Sequence, residues 1–339
     1  MSPEVRRAAE RIVGRPFASV TPMPRRAIPT SHVCRATTSD GRRYAVKYGL
    51  HPPGPDPVDD PIATEWAALT LLAGAGLQAP DPVGYDPDAR VFVTQWVGGP
   101  TVDDALQRGA PLSVADVSAC LRHLSLIEER CTRDQDWLAP YARPRDDAAL
   151  ETEFGASVER AREAYYVCLD SASALEAPTV AHLDRCWEGL WRVLVPRPAV
   201  LASADVNARN IVLSDRGPFY LDFSSLGWDW PERRAACYLT SQGSNHQPGR
   251  VACAVSAPAI EACGYSEGFL RRSEGHAFVL ACLAIARMMV RRREGEMPTW
   301  QDMDDPRTAS ARELLALGCV ADMEPTATLR REAARAFGM

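Results

Sequence analysis

The sequence predicts an α+β chain in two lobes, a small antiparallel-sheet lobe followed by a larger, mostly helical one. Three observations carry this. Strand-like runs crowd the first third, a Gly98-Gly99-Pro100 break ends them, and from Thr101 onward helical periodicity dominates around one hairpin-like block. The 339 residues suffice for one large two-lobed domain or two ordinary ones. The corresponding boundary falls at residues 98/99, giving regions 1–98 and 99–339.

Taken in order, residues 5–13 read as a short helix, and 17–20, 32–38 and 43–48 as three strands. A Ser39-Asp40-Gly41 turn joins the last two, since Asp-Gly supplies the positive φ of a tight hairpin. After a Pro/Asp-rich loop over 51–61, residues 63–75 have helical composition and spacing, closed by Gly76. Two further strands, 83–85 and 90–96, are parted by Asp86-Pro87-Asp88. Helices follow over 102–108, 114–130, 150–169 and 180–193. Ile211-Val212-Leu213 then turns through Ser214-Asp215-Arg216-Gly217 into Phe219-Tyr220-Leu221, and from Ala235 to the end the pattern is again mostly helical.

Composition narrows the function classes. Hydrophobic residues make up 46%, charged residues 24%, and the net charge is -6, without the basic footprint of a nucleic-acid binder. The ten cysteines contain no C-x-x-C pair, so they read as reduced thiols rather than a zinc or dithiol motif. No signal peptide is evident. The most apolar run, 278–290, is interrupted by Arg287 and is shorter than the roughly 20 residues of a membrane span. The expectation is a cytoplasmic protein with a buried helix there. One count stands out: 37 of the 38 basic residues are arginine, and Lys47 is the sole lysine. Lysine is a compact point charge where arginine is a planar fork, so its retention at one position points to a specific task.

The chemistry concentrates between residues 205 and 222. Asp205 is followed five positions on by Asn210, a strand begins at once, and after the hairpin an apolar run ends in Asp222-Phe223-Ser224. Phosphoryl transfer needs a carboxylate to orient the attacking hydroxyl and take its proton, and oxygen ligands to hold Mg²⁺ across the phosphates. A loop-hairpin-loop delivers both to one side.

Asp205-x4-Asn210 followed by Leu221-Asp222-Phe223-Ser224 resembles the catalytic loop and metal-binding aspartate of the aminoglycoside phosphotransferase family, relatives of the protein kinases. The resemblance implies the bilobal kinase-like fold, with Asp205 as catalytic base and Asn210 and Asp222 as Mg²⁺ ligands. Tyr44-Ala45-Val46-Lys47 resembles the V-A-x-K strand whose lysine grips nucleotide phosphates. It implies Glu65 as the partner of Lys47. Val93-Thr94-Gln95-Trp96-Val97-Gly98 resembles the family's hinge, implying that the carbonyl near Gln95 and the N–H of Val97 bind the base of ATP or GTP. The likeness spans roughly residues 15 to 240.

The chain departs from the family in three places. Ser203-Ala204 stand where His-Gly usually precede the catalytic aspartate. Arg234 stands at the aligned position of an aspartate that braces the catalytic loop, so this chain is expected to buttress the loop by other means. No G-x-G-x-x-G covers the phosphates; Thr30 and Ser31 offer hydroxyl and N–H donors instead.

Only nine positions separate Asp222 from Pro231, too few for the peptide-binding platform of a protein kinase, so a small hydroxylated acceptor is expected. Residues 101–339 carry 27 basic and 34 acidic groups. That excess, including Asp302, Asp304 and Asp305, suits a cationic aminoglycoside or peptide antibiotic. Trp228, Trp230 and Trp300 offer stacking faces for a sugar or nucleoside. An antibiotic-inactivating kinase is the leading reading. A metabolite kinase for choline, homoserine or a sugar is the second. A nucleotide-binding pseudokinase is the third.

Overall fold

The computed structural model describes residues 1–23, 31–109, 112–170, 176–194, 198–242, 249–293, 305–318 and 323–339. Helix α1 (Pro3–Val13) starts on a Ser2 cap with Pro3 in its first turn, ends on Gly14 at φ 72°, and buries Ala8 and Ala9. Strands β1 (Phe17–Pro22), β2 (Ser31–Thr38) and β3 (Arg43–Gly49) follow. Next come α2 (Pro61–Gly74), β4 (Pro82–Asp86) and β5 (Val91–Gln95). The five strands form one antiparallel sheet in the order β1-β2-β3-β5-β4. Lys47 sits mid-strand, paired with Val33 on one side and Phe92 on the other.

Helix α2 begins on an Asp60 cap whose side chain accepts from the Ile62 N–H. Its buried residues include Ile62, Ala68, Leu69 and Leu72, and among them the one acidic side chain is Glu65. Burying a carboxylate in so apolar a helix requires a partner, and the partner is Lys47.

The linker after β5 passes close to the second region. Gly99 lies at φ 141°, and a Cβ there would sit 2.2 Å from the Leu213 carbonyl, so only glycine fits. Leu213 N–H donates to the Pro100 carbonyl at 2.8 Å, and Thr101 bridges Val212. Then come α3 (Val102–Gln107), α4 (Val114–Arg133), the short α5 (Gln135–Leu138), α6 (Asp147–Asp170) and α7 (Ala177–Leu194). Reciprocal capping boxes, Thr101 with Asp104 and Ser113 with Asp116, start α3 and α4.

Four short strands follow: β6 (Val200–Ser203), β7 (Ile211–Ser214), β8 (Gly217–Tyr220) and β9 (Leu226–Asp229). β7 and β8 form the hairpin legible in the sequence, whereas β6 pairs with β9 across it, a pairing that local periodicity does not show. The remainder comprises α8 (Pro231–Tyr238), the β10 (Thr240–Gln242) and β11 (Val251–Cys253) ribbon, α9 (Ala257–Ala262), α10 (Glu267–Arg293), α11 (Pro306–Leu317) and α12 (Thr326–Phe337).

The apolar run at 278–290 belongs to a helix twice as long as the run itself, because α10 begins at Glu267. By length and composition its Glu267–Val290 part is sufficient to cross a membrane, yet two-thirds of its most apolar window is buried inside the molecule. It serves as a core helix, packed on α6, α8 and α11. The largest apolar cluster runs from Ile62, Leu69 and Phe92 into α4, β6 and α9, so α2 rests on the helical region.

Candidate active site

β6 runs into Asp205, and the loop from there to Asn210 is tied to itself. The Asn207 side chain donates to Asp205 Oδ1 at 2.9 Å, while its own oxygen accepts from the Arg209 N–H. Asn210 Nδ2 donates to the Asp205 carbonyl at 2.9 Å. The two asparagines thus fix both the carboxylate and the backbone of Asp205. Asn207 was not singled out from the sequence, although two of the chain's three asparagines fall in this one loop.

Asn210 also accepts through its carbonyl from the Leu221 N–H at 2.7 Å, which brings it beside Asp222. Asp222 has φ 61°, one of two non-glycine residues in the left-handed region among the described residues. Aspartate tolerates this conformation better than most residues, and such outliers concentrate at functional sites. Asp222 Oδ1 accepts from the Ser224 hydroxyl at 2.6 Å and from Lys47 Nζ at 2.9 Å.

Lys47 in turn meets Glu65 at 2.5 Å, so the sole lysine joins β3 and α2 to the hairpin region. One ammonium faces two carboxylates, and the surplus negative charge must go somewhere. Burial pushes the Glu65 carboxyl up to about 7 against the pull of Lys47. Burial also opposes the charge on Asp222, but Lys47 and the bonds from Ser224 hold that carboxyl below its ordinary range. Lys47 keeps its proton firmly, since the two carboxylates outweigh the penalty of its burial. Asp222 is therefore the more firmly ionised of the two carboxylates, and Glu65 is the one whose charge burial opposes.

These donors fit a Mg²⁺ ion. Asp222 Oδ2 and Asn210 Oδ1 are hard oxygen ligands on adjoining backbone, and among the described residues no group of three His, Cys, Asp or Glu forms a complete cage. A cation held by two protein oxygens takes its other ligands from phosphate and water, which is the habit of Mg²⁺.

Ser203 and Arg234 each make contacts that brace the loop. Ser203, 1% exposed, donates its hydroxyl to the Asp222 carbonyl at 2.8 Å, linking the start of one loop to the other. Arg234, wholly buried on α8, pairs with Glu128 of α4 at 2.9 Å. Its Nη2 donates to Gly227 and Val200 carbonyls at 3.0 and 3.3 Å. These carbonyls lie on β9 and β6, the strands that lead away from Asp222 and into Asp205. Arg234 therefore staples the strand pair that sets the spacing of the two loops.

Of the remaining predicted residues, Gln95 ends β5 and Val97 lies in the linker two residues on, with the Gln95 N–H bonded to the Asp81 carbonyl. Ser31 opens β2 opposite Gly49. Thr30 lies outside the described residues, as do Trp300, Asp302 and Asp304. The acceptor-side expectations need correction where they are described. Asp305 is a buried helix cap, accepting from the Thr308 N–H and hydroxyl of α11, and is not free to bind an amine. Trp230 is 3% exposed, packed edge-on against Phe154 at 5.2 Å, so it offers no stacking face. Trp228 donates to the Arg143 carbonyl and lies under Arg145.

A cavity of about 520 Å³ opens beside the loop, with Val206, the residue after Asp205, in its wall. α6, α8 and α10 supply most of the rest. It was not foreseen, because it depends on three helices distant in sequence.

The model of the phosphotransferase enzyme family (APH) matches residues 28–256. Among solved structures, a macrolide 2'-phosphotransferase from Brachybacterium faecium overlaps with a TM-score of 0.50 at 14% identity, over 85% of this chain and 94% of that one. A choline/ethanolamine kinase family protein from Mesorhizobium loti gives a TM-score of 0.47 at 15% identity, over 94% of this chain and 93% of the other. No curated protein matches at a comparable level. The fold is thus the bilobal, kinase-like one.

Proposed function

The chain belongs to the phosphotransferase enzyme family, and from that premise we propose that it transfers the γ-phosphoryl group of ATP or GTP to a hydroxyl of a small molecule. The observation that carries the reading is the charge relay across the two lobes. Lys47 on β3 touches both Glu65 on α2 and Asp222 after β8, while Asp205 and Asn210 stand on the adjoining loop.

In this reading the acceptor hydroxyl lies against Asp205. Its oxygen forms the new bond to the γ-phosphorus as the bond from that phosphorus to the bridging oxygen breaks. The proton passes to Asp205, and the nucleoside diphosphate leaves. Asn207 keeps the Asp205 carboxylate oriented for that contact. Lys47 neutralises phosphate charge from the sheet side, and Gln95 and Val97 present backbone to the base. Ser31, which opens β2, offers its hydroxyl and N–H to the phosphates. Asp222 and Asn210 would hold Mg²⁺, which supplies charge neutralisation between the phosphates when bound.

For the acceptor, the first class to examine is a hydroxylated antibiotic, inactivated by phosphorylation, and the second a metabolite alcohol such as choline, homoserine or a sugar. The protein would act in the cytoplasm. A coupled assay of ADP or GDP release, run over both classes with Asp205→Ala as control, tests the proposal. Release stimulated by an acceptor and absent in Asp205→Ala supports it. Mg²⁺-dependent nucleotide binding without turnover on any acceptor favours a binding module instead.

A further inference from the structure

Glu65 is delivered to Lys47 by a helix that its own leading segment does not fix. Between His51 and Asp60 the chain makes a single 3₁₀ turn, Pro57–Asp59, which leaves the height and rotation of α2 open. Burial opposes the charge on Glu65, so the ion pair alone is a weak tether for the helix. Contacts at the two ends of α2 supply what the pair lacks.

At the start, Asp60 does more than cap the helix. Its Oδ1 accepts from the Ile62 N–H at 3.0 Å and from Arg90 Nη2 at 2.7 Å. Arg90 stands in the turn between β4 and β5, and its Nη1 donates to the His51 carbonyl. Its φ of 47° makes it the other left-handed non-glycine residue beside Asp222 among those described. A bulky side chain in that region is strained, and such strain persists where the surroundings over-determine it. One strained residue thus accepts from Lys47, and the other holds the cap of the helix that carries Glu65.

Beyond the other end of α2, Gln78 grips the β7–β8 hairpin twice. Its carbonyl accepts from the Tyr220 N–H at 3.1 Å, and its Nε2 donates to the Arg216 carbonyl at 2.6 Å. Gly217 lies at φ 107°, and a Cβ there would sit 2.9 Å from Gln78 Oε1, so glycine makes the room for this grip. Tyr220 is two positions before Asp222. Arg90 Nε and Gln78 Oε1 are each buried without a hydrogen-bond partner. Both side chains bear that desolvation cost while making their other contacts.

We propose that Arg90 and Gln78 are positioning residues, a clamp on the two ends of α2 that keeps Glu65 against Lys47 and the pair in register with Asp222. Arg90 ties the start of the helix to the sheet that carries Lys47. Gln78 ties the chain after it to the hairpin that leads into Asp222. The role of the clamp in turnover rests on the phosphotransferase reading, whereas the clamp itself rests on these contacts.

The sole lysine provides a readout that needs no acceptor. Lys47 must part from its carboxylates and lose its proton before it can be acylated, so its acetylation rate reports how firmly the pair is held. The full-length wild type, R90M, Q78A and R90M/Q78A are treated with an acetyl N-hydroxysulfosuccinimide ester well below their melting temperatures. The Lys47 peptide is then followed by mass spectrometry, apart from the N-terminal amine. Tyr166→Phe, which removes a hydrogen bond to Asp184 between α6 and α7, controls for general loosening. Acetylation is expected to rise a few-fold in each single variant and about tenfold in R90M/Q78A, with Tyr166→Phe at the wild-type rate. Glu65→Gln should also acetylate faster, and adding R90M/Q78A to it should change the rate by less than about twofold, because the clamp acts through Glu65. Wild-type acetylation in R90M/Q78A, an equal rise in Tyr166→Phe, or a full tenfold rise on top of Glu65→Gln overturns the proposal.

Nucleotide turnover separates the clamp from the reaction it is taken to serve. Faster acetylation together with about a tenfold loss of kcat in R90M/Q78A supports both. Faster acetylation with unchanged kcat upholds the clamp and counts against the Lys47–Glu65 pair as part of the phosphotransferase machinery. Lost turnover with wild-type acetylation overturns the clamp and leaves the phosphotransferase reading standing.

Discussion

Replacing Arg234 by methionine removes the staple between β6 and β9 and strands Glu128 in the core. The wild-type contacts are one ion pair at 2.9 Å and hydrogen bonds to the Gly227 and Val200 carbonyls. Breaking a buried pair from one side leaves an uncompensated charge and costs about 3 to 5 kcal/mol, a large part of a typical stability of about 5 to 15 kcal/mol. Removing both charges, as R234M/E128L, returns most of that loss, because an apolar pair of similar volume is close to neutral in such sites. Stability alone would not distinguish a brace from a filler. The strands feed the loops that carry Asp205 and Asp222, and a displacement of about 1 Å in a reacting group costs up to a hundredfold in rate. The double variant is therefore expected to melt near the wild type but turn over nucleotide about tenfold more slowly, with nucleotide KM nearly unchanged. Denaturant melts followed by circular dichroism give the first quantity, and ADP-release kinetics the second. A double variant with wild-type kcat, or a single R234M variant as stable as the wild type, would refute the positioning role.

Three further outcomes follow from the same geometry. Ser203→His, which restores the residue common in the family, should lower the melting temperature without raising turnover. Ser203 is 1% exposed and tied to Asp222, and overpacking such a site costs about 1 to 3 kcal/mol. Lys47→Met leaves Glu65 and Asp222 without their shared cation, so stability should fall by about 3 to 5 kcal/mol and nucleotide binding should weaken, as read by melts and by fluorescent-nucleotide titration. Glu65 gives a pH signature. Its folded carboxyl is raised by burial to about 7 from an ordinary 4.5, so its contribution is full below pH 4.5 and is lost as pH rises through 7. Against Glu65→Gln, the wild type should lose on the order of 3 kcal/mol between about pH 4.5 and pH 8, measured by denaturant melts across that window. Parallel pH profiles of the two proteins would contradict the assignment.

The parts of the site that could be read in the sequence were those fixed by spacing along one segment. Asp205, Asn210 and Asp222 lie within one loop-hairpin-loop, and the structure brings Asn210 against Asp205 and, through the Leu221 N–H, beside Asp222. Lys47 was legible by its rarity, and its contact with Glu65 follows from a strand, a loop and a helix in series. What escaped depends on residues far apart. Arg234 and Glu128 are 106 positions from each other, and nothing local in either helix marks them as partners. β6 and β9 have four residues each, too few for periodicity to show, and their pairing is set across the intervening hairpin. The start of α10 was not legible because its first half is not apolar. Arg272 is partly buried there, paired with the buried Glu232, and Glu274 is buried, paired with Arg330. Such charges look like surface residues until their partners are known. The surplus of acidic residues does not locate the acceptor, for a related reason. Net charge is a property of the whole surface, whereas the cavity beside Val206 draws its described charges from arginines alone.

The central claim is that Asp205 takes the proton of an acceptor hydroxyl while Lys47 and Asp222 manage the charge of the nucleotide. Transfer of the labelled γ-phosphoryl group from ATP or GTP to an acceptor found in the release screen, compared between the wild type and Asp205→Ala, tests it most directly. The account predicts a loss of at least about a hundredfold in kcat, with nucleotide affinity retained. Turnover within about twofold of the wild type would remove Asp205 from the chemistry, and the proposed mechanism with it.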